Sequence, residues 1–219
     1  MSESKEEPPK VEAVVPAMEV KVVENKADEP TALEAHMGYF ANPKTGKIEY
    51  TYAYNKFRAL GNTKMESTKQ AMGTLTLAAG IVKCPFKSFT PKDGLVLKHP
   101  CDSRIYDPSG NVNAEAFNKL VQFKNETGAK NYISKTTLFE FMNQFYDEDK
   151  NVKRHSFWKN LSEGEWGNLF KLATNHWEKT ATGYEPCITF DLLKQFFEDT
   201  PAVFKLVEDK KLPVSKPVV

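Results

Sequence analysis

The sequence has few of the residues on which most metal-site and enzyme signatures depend. It contains four histidines and three cysteines in 219 residues, and neither a His-Glu-x-x-His nor a Cys-x-x-Cys pattern occurs. A zinc site of the common kinds is therefore not expected. A glycine-rich phosphate loop and a Gly-x-Ser-x-Gly elbow are also missing. The uneven spacing and odd number of the cysteines do not indicate a disulfide framework, and these residues are Cys84, Cys101 and Cys187.

Neither sign of charge is in excess, and long apolar runs are lacking. With 30 basic and 29 acidic residues, the chain offers no electrostatic argument for binding nucleic acid. Its longest low-charge stretch, residues 71–82, is too short to span a bilayer, which takes about 20 apolar residues. We interpret it as a buried helix, with contact to a membrane surface as the alternative. The first residues lack the apolar core of a secretory signal, so we expect a cytoplasmic protein.

Composition divides the chain into a tail and one domain. Residues 1–32 carry eight acids, four lysines and four prolines but no aromatic residue, which predicts a disordered acidic tail. Residues 33–212 are predicted to form a single, mostly α-helical domain with short β pieces, and 213–219 a flexible C-terminus. Helical periodicity predicts helices near 30–40, 50–60, 64–82, 114–127, 135–147, 162–178, 190–198 and 201–209. Short extended pieces are expected near 47–49, 111–113 and 187–189.

Local signals mark several boundaries. Residues 162–165 (Ser-Glu-Gly-Glu) form the pattern of a capping box at a helix start. Thr200 precedes Pro201 and is predicted to cap the next helix with its hydroxyl. Residues 107–110 (Asp-Pro-Ser-Gly) predict a type I turn. Residues 85–100, with three prolines, predict an irregular connector inside the domain.

Residues 34–61 have the outline of an EF-hand helix–loop–helix without its ligands. Gly46 occupies the sixth place of a 12-residue loop, as in an EF-hand. The first, third, fifth and twelfth places, where oxygen ligands belong, hold Ala41, Pro43, Thr45 and Tyr52. A second candidate, residues 147–158, has Val and Trp where Gly and Glu are needed. We therefore expect no calcium site in either loop.

Two of the four histidines are candidate ligands. His36 lies on a helix with an apolar face, where a structural role is the first interpretation and ligation is the alternative. His99 follows an apolar triplet and precedes a turn, and Asp102 or Ser103 can bond its second ring nitrogen, as metal-ligating histidines usually require. The residues alone therefore indicate a candidate metal or haem ligand at each position. The other two are interpreted as surface or helix-end residues, His155 and His176.

An ordered set of motifs runs from about residue 34 to about residue 210. Its members are 36–40 (His-Met-Gly-Tyr-Phe), 57–61 (Phe-Arg-Ala-Leu-Gly), 98–103 (Lys-His-Pro-Cys-Asp-Ser), 165–169 (Glu-Trp-Gly-Asn-Leu) and 196–199 (Phe-Phe-Glu-Asp). Together they resemble the caleosin family, the EF-hand-like haem peroxygenases. The resemblance implies a b-type haem with His36 and His99 as its axial ligands and catalytic residues. It also implies a hydrophobic, unsaturated lipid substrate and a hydroperoxide as oxygen donor.

The resemblance carries further expectations about surroundings and partners. An aromatic wall for the substrate would come from four residues, each of which is also compatible with plain core packing: Tyr39, Phe40, Trp166 and Phe170. The calcium of the family is expected to be lost. The apolar segment and proline knot that insert into lipid droplets in the family are reduced here to residues 71–91. We therefore expect at most a weak, peripheral contact with lipid droplets or membranes.

Three alternatives stay open. A haem could be held by a thiolate next to a proline, from Cys84 or Cys101, because thiolate ligation favours O–O cleavage. A caleosin-like enzyme of secondary metabolism could instead catalyse a rearrangement or dehydration in a soluble pocket. The chain could also be a non-enzymatic scaffold that binds lipid or a partner. Haem content separates the scaffold from the enzymes, and peroxide-dependent product formation separates the two kinds of reaction.

Overall fold

The helices dominate the architecture. The structure is a computed structural model that describes residues 29–82, 88–91, 104–148 and 155–217. Its helices are α1 (Ala32–Gly38), α2 (Tyr50–Ala59), α3 (Lys64–Val82), α4 (Ala114–Gln122), α5 (Lys135–Glu148), α6 (His155–Ala173), α7 (Phe190–Glu198) and α8 (Thr200–Glu208). Each corresponds to one predicted helix, so the mostly α-helical fold class is confirmed.

Short antiparallel strands join the helices. They are β1 (Ala41–Asn42), β2 (Lys47–Ile48), β3 (Tyr132–Ser134), β4 (His176–Thr180) and β5 (Gly183–Thr189). β1 pairs with β2, and the other three form a sheet in the order β3-β5-β4. The extended pieces predicted near 47–49 and 187–189 are therefore confirmed. Near 111–113 the structure has an isolated bridge between Val112 and Tyr106.

Antiparallel pairing connects segments that immediately precede helices to other parts of the chain. Ile48, two residues after Gly46, bridges Phe89 antiparallel, and its N–H donates to the Phe89 carbonyl at 2.7 Å. Ile133 in β3, just before α5, lies opposite Ile188 in β5, just before α7. Each of these pairings joins the segment before one helix to a second, non-adjacent segment of the chain. The predicted helix–loop–helix around Gly46 is thus formed.

One hydrophobic core lies under α7 and α8. α7 buries five apolar residues against this core, Phe190, Leu192, Leu193, Phe196 and Phe197. Burying a large apolar side chain contributes about 1.5–3 kcal/mol, so this amphipathic helix is a main source of stability. Fully buried side chains from other elements surround it, among them Ile48, Ile105, Phe117, Leu138, Ile188 and Val203.

The predicted apolar stretch 71–82 forms the second half of α3. Ala71 and Leu75 are buried in the core, which supports the interpretation as a packed helix for this part of the stretch. Met72 points outward and is 46% exposed. No helix among the described residues combines the length and apolarity needed to cross a membrane.

The sixth helix and the strand after it correct the sequence prediction. α6 begins at His155, so the capping box predicted at 162–165 was wrong. Inside a continuous helix the amides of those residues bond to carbonyls four residues earlier and need no cap. Its end was also wrong, because the helix stops at Ala173 and His176 starts a strand. Antiparallel pairing with β5, from His176 opposite Cys187 to Thr180 opposite Gly183, gives these residues the strand conformation.

The remaining predicted segments are a turn, a connector and a second candidate loop. The turn at 107–110 is confirmed, since the N–H of Gly110 donates to the Asp107 carbonyl at 3.0 Å. The Asp107 side chain also accepts from the N–H of Ser109 at 2.7 Å. Most of the connector 85–100 and the middle of the candidate loop 147–158 lie outside the described residues.

Candidate functional site

His36 is presented by the last turn of α1. Thr31 caps this helix, since its Oγ1 accepts from the N–H of Glu34 at 3.2 Å while its own N–H donates to the Glu34 carboxylate at 2.8 Å. The N–H of Leu33 donates to the carbonyl of Gly110 at 2.9 Å. A helix of seven residues is marginal by itself, so these bonds are needed to fix where it starts.

Side-chain bonds tie α1 to both ends of α8. The Nδ1 atom of His36 lies 2.9 Å from Oγ1 of Thr200, the first residue of α8. Tyr39, one turn further along α1, donates its hydroxyl to Glu208, the last residue of α8, at 2.7 Å. Thr200 is fully buried, and its hydroxyl donates to the Phe196 carbonyl at 2.5 Å. His36 is therefore positioned by residues from the opposite end of the chain.

The role predicted for Thr200 was wrong. The cap of α8 is Asp199, whose carboxylate accepts from the N–H of Ala202 at 3.2 Å. Because a carboxylate one residue earlier satisfies the free amide, the Thr200 hydroxyl is left for Phe196 and His36. The sequence thus indicated a hydrogen-bonding role for the Thr200 hydroxyl, but its partners are Phe196 and His36 and not the free amides of α8.

The surroundings of His36 keep its imidazole neutral. The side chain is half-buried, and burial lowers the pKa of His36 to about 4. Its ring meets Phe196 edge-on with centroids 5.4 Å apart and Tyr106 at 6.4 Å. Phe197 contacts both of these rings. The imidazole thus has a polar partner on its Nδ1 side and aromatic rings around it.

Three of the four predicted pocket residues belong to this aromatic cluster. Tyr39 and Phe40 pack on Phe204, which in turn contacts Phe196. Trp166 packs on Phe197 with centroids 5.8 Å apart. Phe40 is buried in the core, and Tyr39 and Trp166 pack against its edge. These contacts agree with a wall beside His36 and with core packing alike.

The fourth, Phe170, lines a separate cleft. This cleft has a volume of about 400 Å³ and is formed largely by α6, β4 and the C-terminal segment. Trp177 closes one side and donates its indole N–H to the Val214 carbonyl at 3.0 Å. Three lysines line it, Lys135, Lys171 and Lys216, and Lys171 is already paired with Glu66 at 2.7 Å. None of the residues that contact His36 lines this cleft.

A comparison with protein families decides the relationship. The family model described as Caleosin related protein matches residues 28–181, well over half of the chain. The chain belongs to the caleosin family. The resemblance carried by the ordered motifs is thereby confirmed. No curated protein and no solved structure matches the chain.

Caleosins generally bind haem, and the residues on the His36 side fit that group. A neutral imidazole is the form that coordinates iron, and here its Nε2 atom has no hydrogen-bond partner among the described residues. The aromatic surroundings suit an apolar macrocycle. The other predicted axial ligand, His99, lies outside the described residues, as do the two cysteines of the thiolate alternative, Cys84 and Cys101.

Caleosins also generally bind calcium, and the loop around Gly46 does not fit that ion. Glu49 uses both carboxylate oxygens inside the loop, accepting from Nδ2 of Asn42 at 2.9 Å and from Oγ1 of Thr45 at 2.7 Å. These bonds lower the pKa of Glu49. The remaining ligand places hold residues without suitable oxygens. Within the described ranges no three or more His, Cys, Asp or Glu residues are grouped so that they could hold a metal ion.

Proposed function

We propose that this caleosin is a haem-dependent, peroxygenase-like oxidoreductase that oxygenates a hydrophobic, unsaturated substrate with a hydroperoxide as oxygen donor. The observation that carries the proposal is the neutral imidazole of His36, held by a hydrogen bond at Nδ1 and surrounded by aromatic rings. Membership of a family known for peroxygenase activity supports the reaction class.

The protein's part in this reaction is binding, orientation and exclusion of water. His36 would hold a b-type haem through Nε2, and His99 is the proposed second ligand. Bound haem supplies the transfer of one oxygen atom from the hydroperoxide to the substrate. Thr200 directs the imidazole, and the rings of Phe196 and Tyr106 pack beside it. Tyr39, Phe40 and Trp166 are proposed as part of a wall that suits an apolar substrate.

The electrostatics of His36 disfavour the rearrangement or dehydration alternative at this residue. A general base works best when its pKa lies near the operating pH. Burial holds the pKa of His36 at about 4, so the imidazole is a weak base at neutral pH. A neutral ring whose Nε2 has no partner among the described residues is a better ligand than base.

The scaffold alternative depends on surfaces away from His36. We propose that residues 71–91 make a peripheral contact with lipid droplets or membranes, and the outward side chain of Met72 supports this. Such a contact is compatible with the oxidoreductase and would be the whole function of a scaffold. Haem uptake therefore distinguishes the two.

Titration of the purified chain with hemin tests the proposal. We expect the wild type to develop a strong Soret band, and His36→Ala and His99→Ala to shift or lose it. His176→Ala is the matched control, because that half-buried histidine lies in β4 and stacks on Tyr132 at 4.3 Å, away from α1. Circular dichroism establishes that each variant is folded. A wild type that takes up no hemin, or a folded His36→Ala with the wild-type spectrum, would contradict the proposal.

A further inference from the structure

We infer that Thr200 is a positioning residue that sets the tautomer of His36, with the proton on Nδ1 and the lone pair on Nε2. An Nε2 atom that carries the proton has no lone pair to offer to iron. The tautomer therefore decides whether the imidazole is ready to act as a ligand. This consequence for haem rests on the proposed function. The tautomer itself is a property of the haem-free protein.

Counting protons at the Thr200 hydroxyl gives the direction of both bonds. A hydroxyl has one proton to donate, and its lone pairs accept. A carbonyl oxygen can only accept, so at 2.5 Å from the Phe196 carbonyl the Thr200 proton is used there. Toward Nδ1 of His36, 2.9 Å away, the same oxygen must therefore accept an N–H. A neutral imidazole has a single N–H, which leaves Nε2 with its lone pair.

The count applies to a neutral imidazole. At about pH 7 this is the main form of a histidine, whose ordinary pKa is about 6.5, so one ring nitrogen is unprotonated. The contacts of Nδ1 then decide which nitrogen that is. Among the described residues Nε2 has no competing hydrogen-bond partner that would hold the proton on its side.

The surrounding structure fixes Thr200 in this role. Its side chain is completely buried, and Asp199 has taken over the capping of α8. The bond back to Phe196, four residues earlier, holds the hydroxyl in one orientation. The ring of Phe196 also packs edge-on against His36. The same two residues thus hold the imidazole through its proton and through its ring edge.

Thr174 provides a matched control from within the chain. It is buried, with 2% of its surface exposed. Its hydroxyl donates to the carbonyl of Phe170, four residues earlier, also at 2.5 Å. No histidine of the described residues bonds to its hydroxyl. Replacing Thr174 with Val therefore removes the same local hydrogen bond without touching an imidazole.

Long-range ¹⁵N–¹H correlation spectra of the haem-free protein at about pH 7 test the inference. We expect the His36 signals of the wild type and of Thr200→Ser to show a protonated Nδ1 and an unprotonated Nε2. Thr200→Val should move the proton toward Nε2, and Thr174→Val should leave it on Nδ1. A wild type with its proton on Nε2 overturns the inference, as does a folded Thr200→Val with an unchanged tautomer. If Thr200→Val does not fold, the spectra of the wild type and Thr200→Ser still decide.

Hemin affinity is the second readout. Loss of a partner that orients a metal-bound histidine typically weakens binding about 10–100-fold, which we expect for Thr200→Val and not for Thr200→Ser or Thr174→Val. A Thr200→Val protein with an altered tautomer and wild-type affinity would overturn the link to haem. If the wild type takes up no hemin, the proposed function fails, while the spectra still decide the tautomer.

Discussion

The carboxylate of Glu49 holds the residues of its loop together, as a bound cation does in an EF-hand. Its carboxylate draws Asn42 and Thr45 together across the turn at Gly46, where φ is +66° and glycine carries no steric penalty. The hydrogen bonds keep the pKa of Glu49 below its usual 4.5. The loop can therefore keep its shape, and keep α1 and α2 in place, without calcium.

We predict that Glu49→Ala lowers the melting temperature at about pH 7. Because the pKa of Glu49 is lower in the folded than in the unfolded state, its stabilisation is present above pH 4.5 and is lost as the pH falls through the folded-state pKa. The difference between wild type and variant should thus shrink on acidification. Thermal unfolding across this pH range measures it, with Glu126→Ala, an exposed glutamate, as the control.

Calcium gives the complementary result for the same loop. Millimolar calcium should leave the melting temperature of the wild type unchanged, because the ligand places carry no carboxylate apart from Glu49, and Glu49 is engaged. A calcium-dependent rise, or titration heats that indicate binding at this loop, would contradict this account.

At the scale of elements, α1 depends on its partners more than on its own helix propensity. It has seven residues, a capping box at one end and side-chain bonds to α8 at positions 36 and 39. Burial together with the Glu208 carboxylate raises the pKa of Tyr39, so the phenol remains a donor. Lys56 lies 4.3 Å from the centroid of the same ring and pairs with Glu208 at 3.8 Å. These contacts hold the helix that carries His36.

Removal of the Tyr39 hydroxyl tests this coupling of α1 to α8. We expect Tyr39→Phe to lower the free energy of unfolding by about 0.5–1.5 kcal/mol, the usual net contribution of one hydrogen bond. Tyr50→Phe should have little effect, because Tyr50 is 40% exposed. Urea unfolding of the two variants measures the difference. Equal stability losses would indicate that the bond to Glu208 does not stabilise the fold.

At the scale of the whole molecule, local patterns predicted which segments are helical but not where α6 begins and ends or that a strand follows it. Apolar periodicity predicted each helix of the described residues, because most of these helices pack apolar side chains on one side against the core. The Ser-Glu-Gly-Glu pattern at 162–165 misled because it lies inside α6, where upstream residues continue the helix. β4 was missed because its pairing with β5 competes with a helical pattern that runs on past Ala173.

For the candidate site too, the sequence indicates some of the residues and only the fold shows the others. His36, Tyr39 and Phe40 were predicted from the family motif, and the structure packs the last two on Phe204, which contacts Phe196 beside His36. The partner of His36, Thr200, is 164 residues away in sequence, and no local signal joins them. Its Thr-Pro dipeptide resembled a helix cap, and only the fold shows that Asp199 takes that place. A motif can thus indicate a candidate ligand, whereas the residue that orients it is seen only in the three-dimensional fold.

The most direct test of the central claim follows the oxygen atom. The hemin-loaded protein is incubated in air with an unsaturated fatty acid and a hydroperoxide labelled with heavy oxygen, and the product is analysed by mass spectrometry beside His36→Ala and His176→Ala. The account predicts an oxygenated product that carries the label with the wild type and His176→Ala, and none with His36→Ala. Product that carries unlabelled oxygen from air or water, or equal product with His36→Ala, would contradict it.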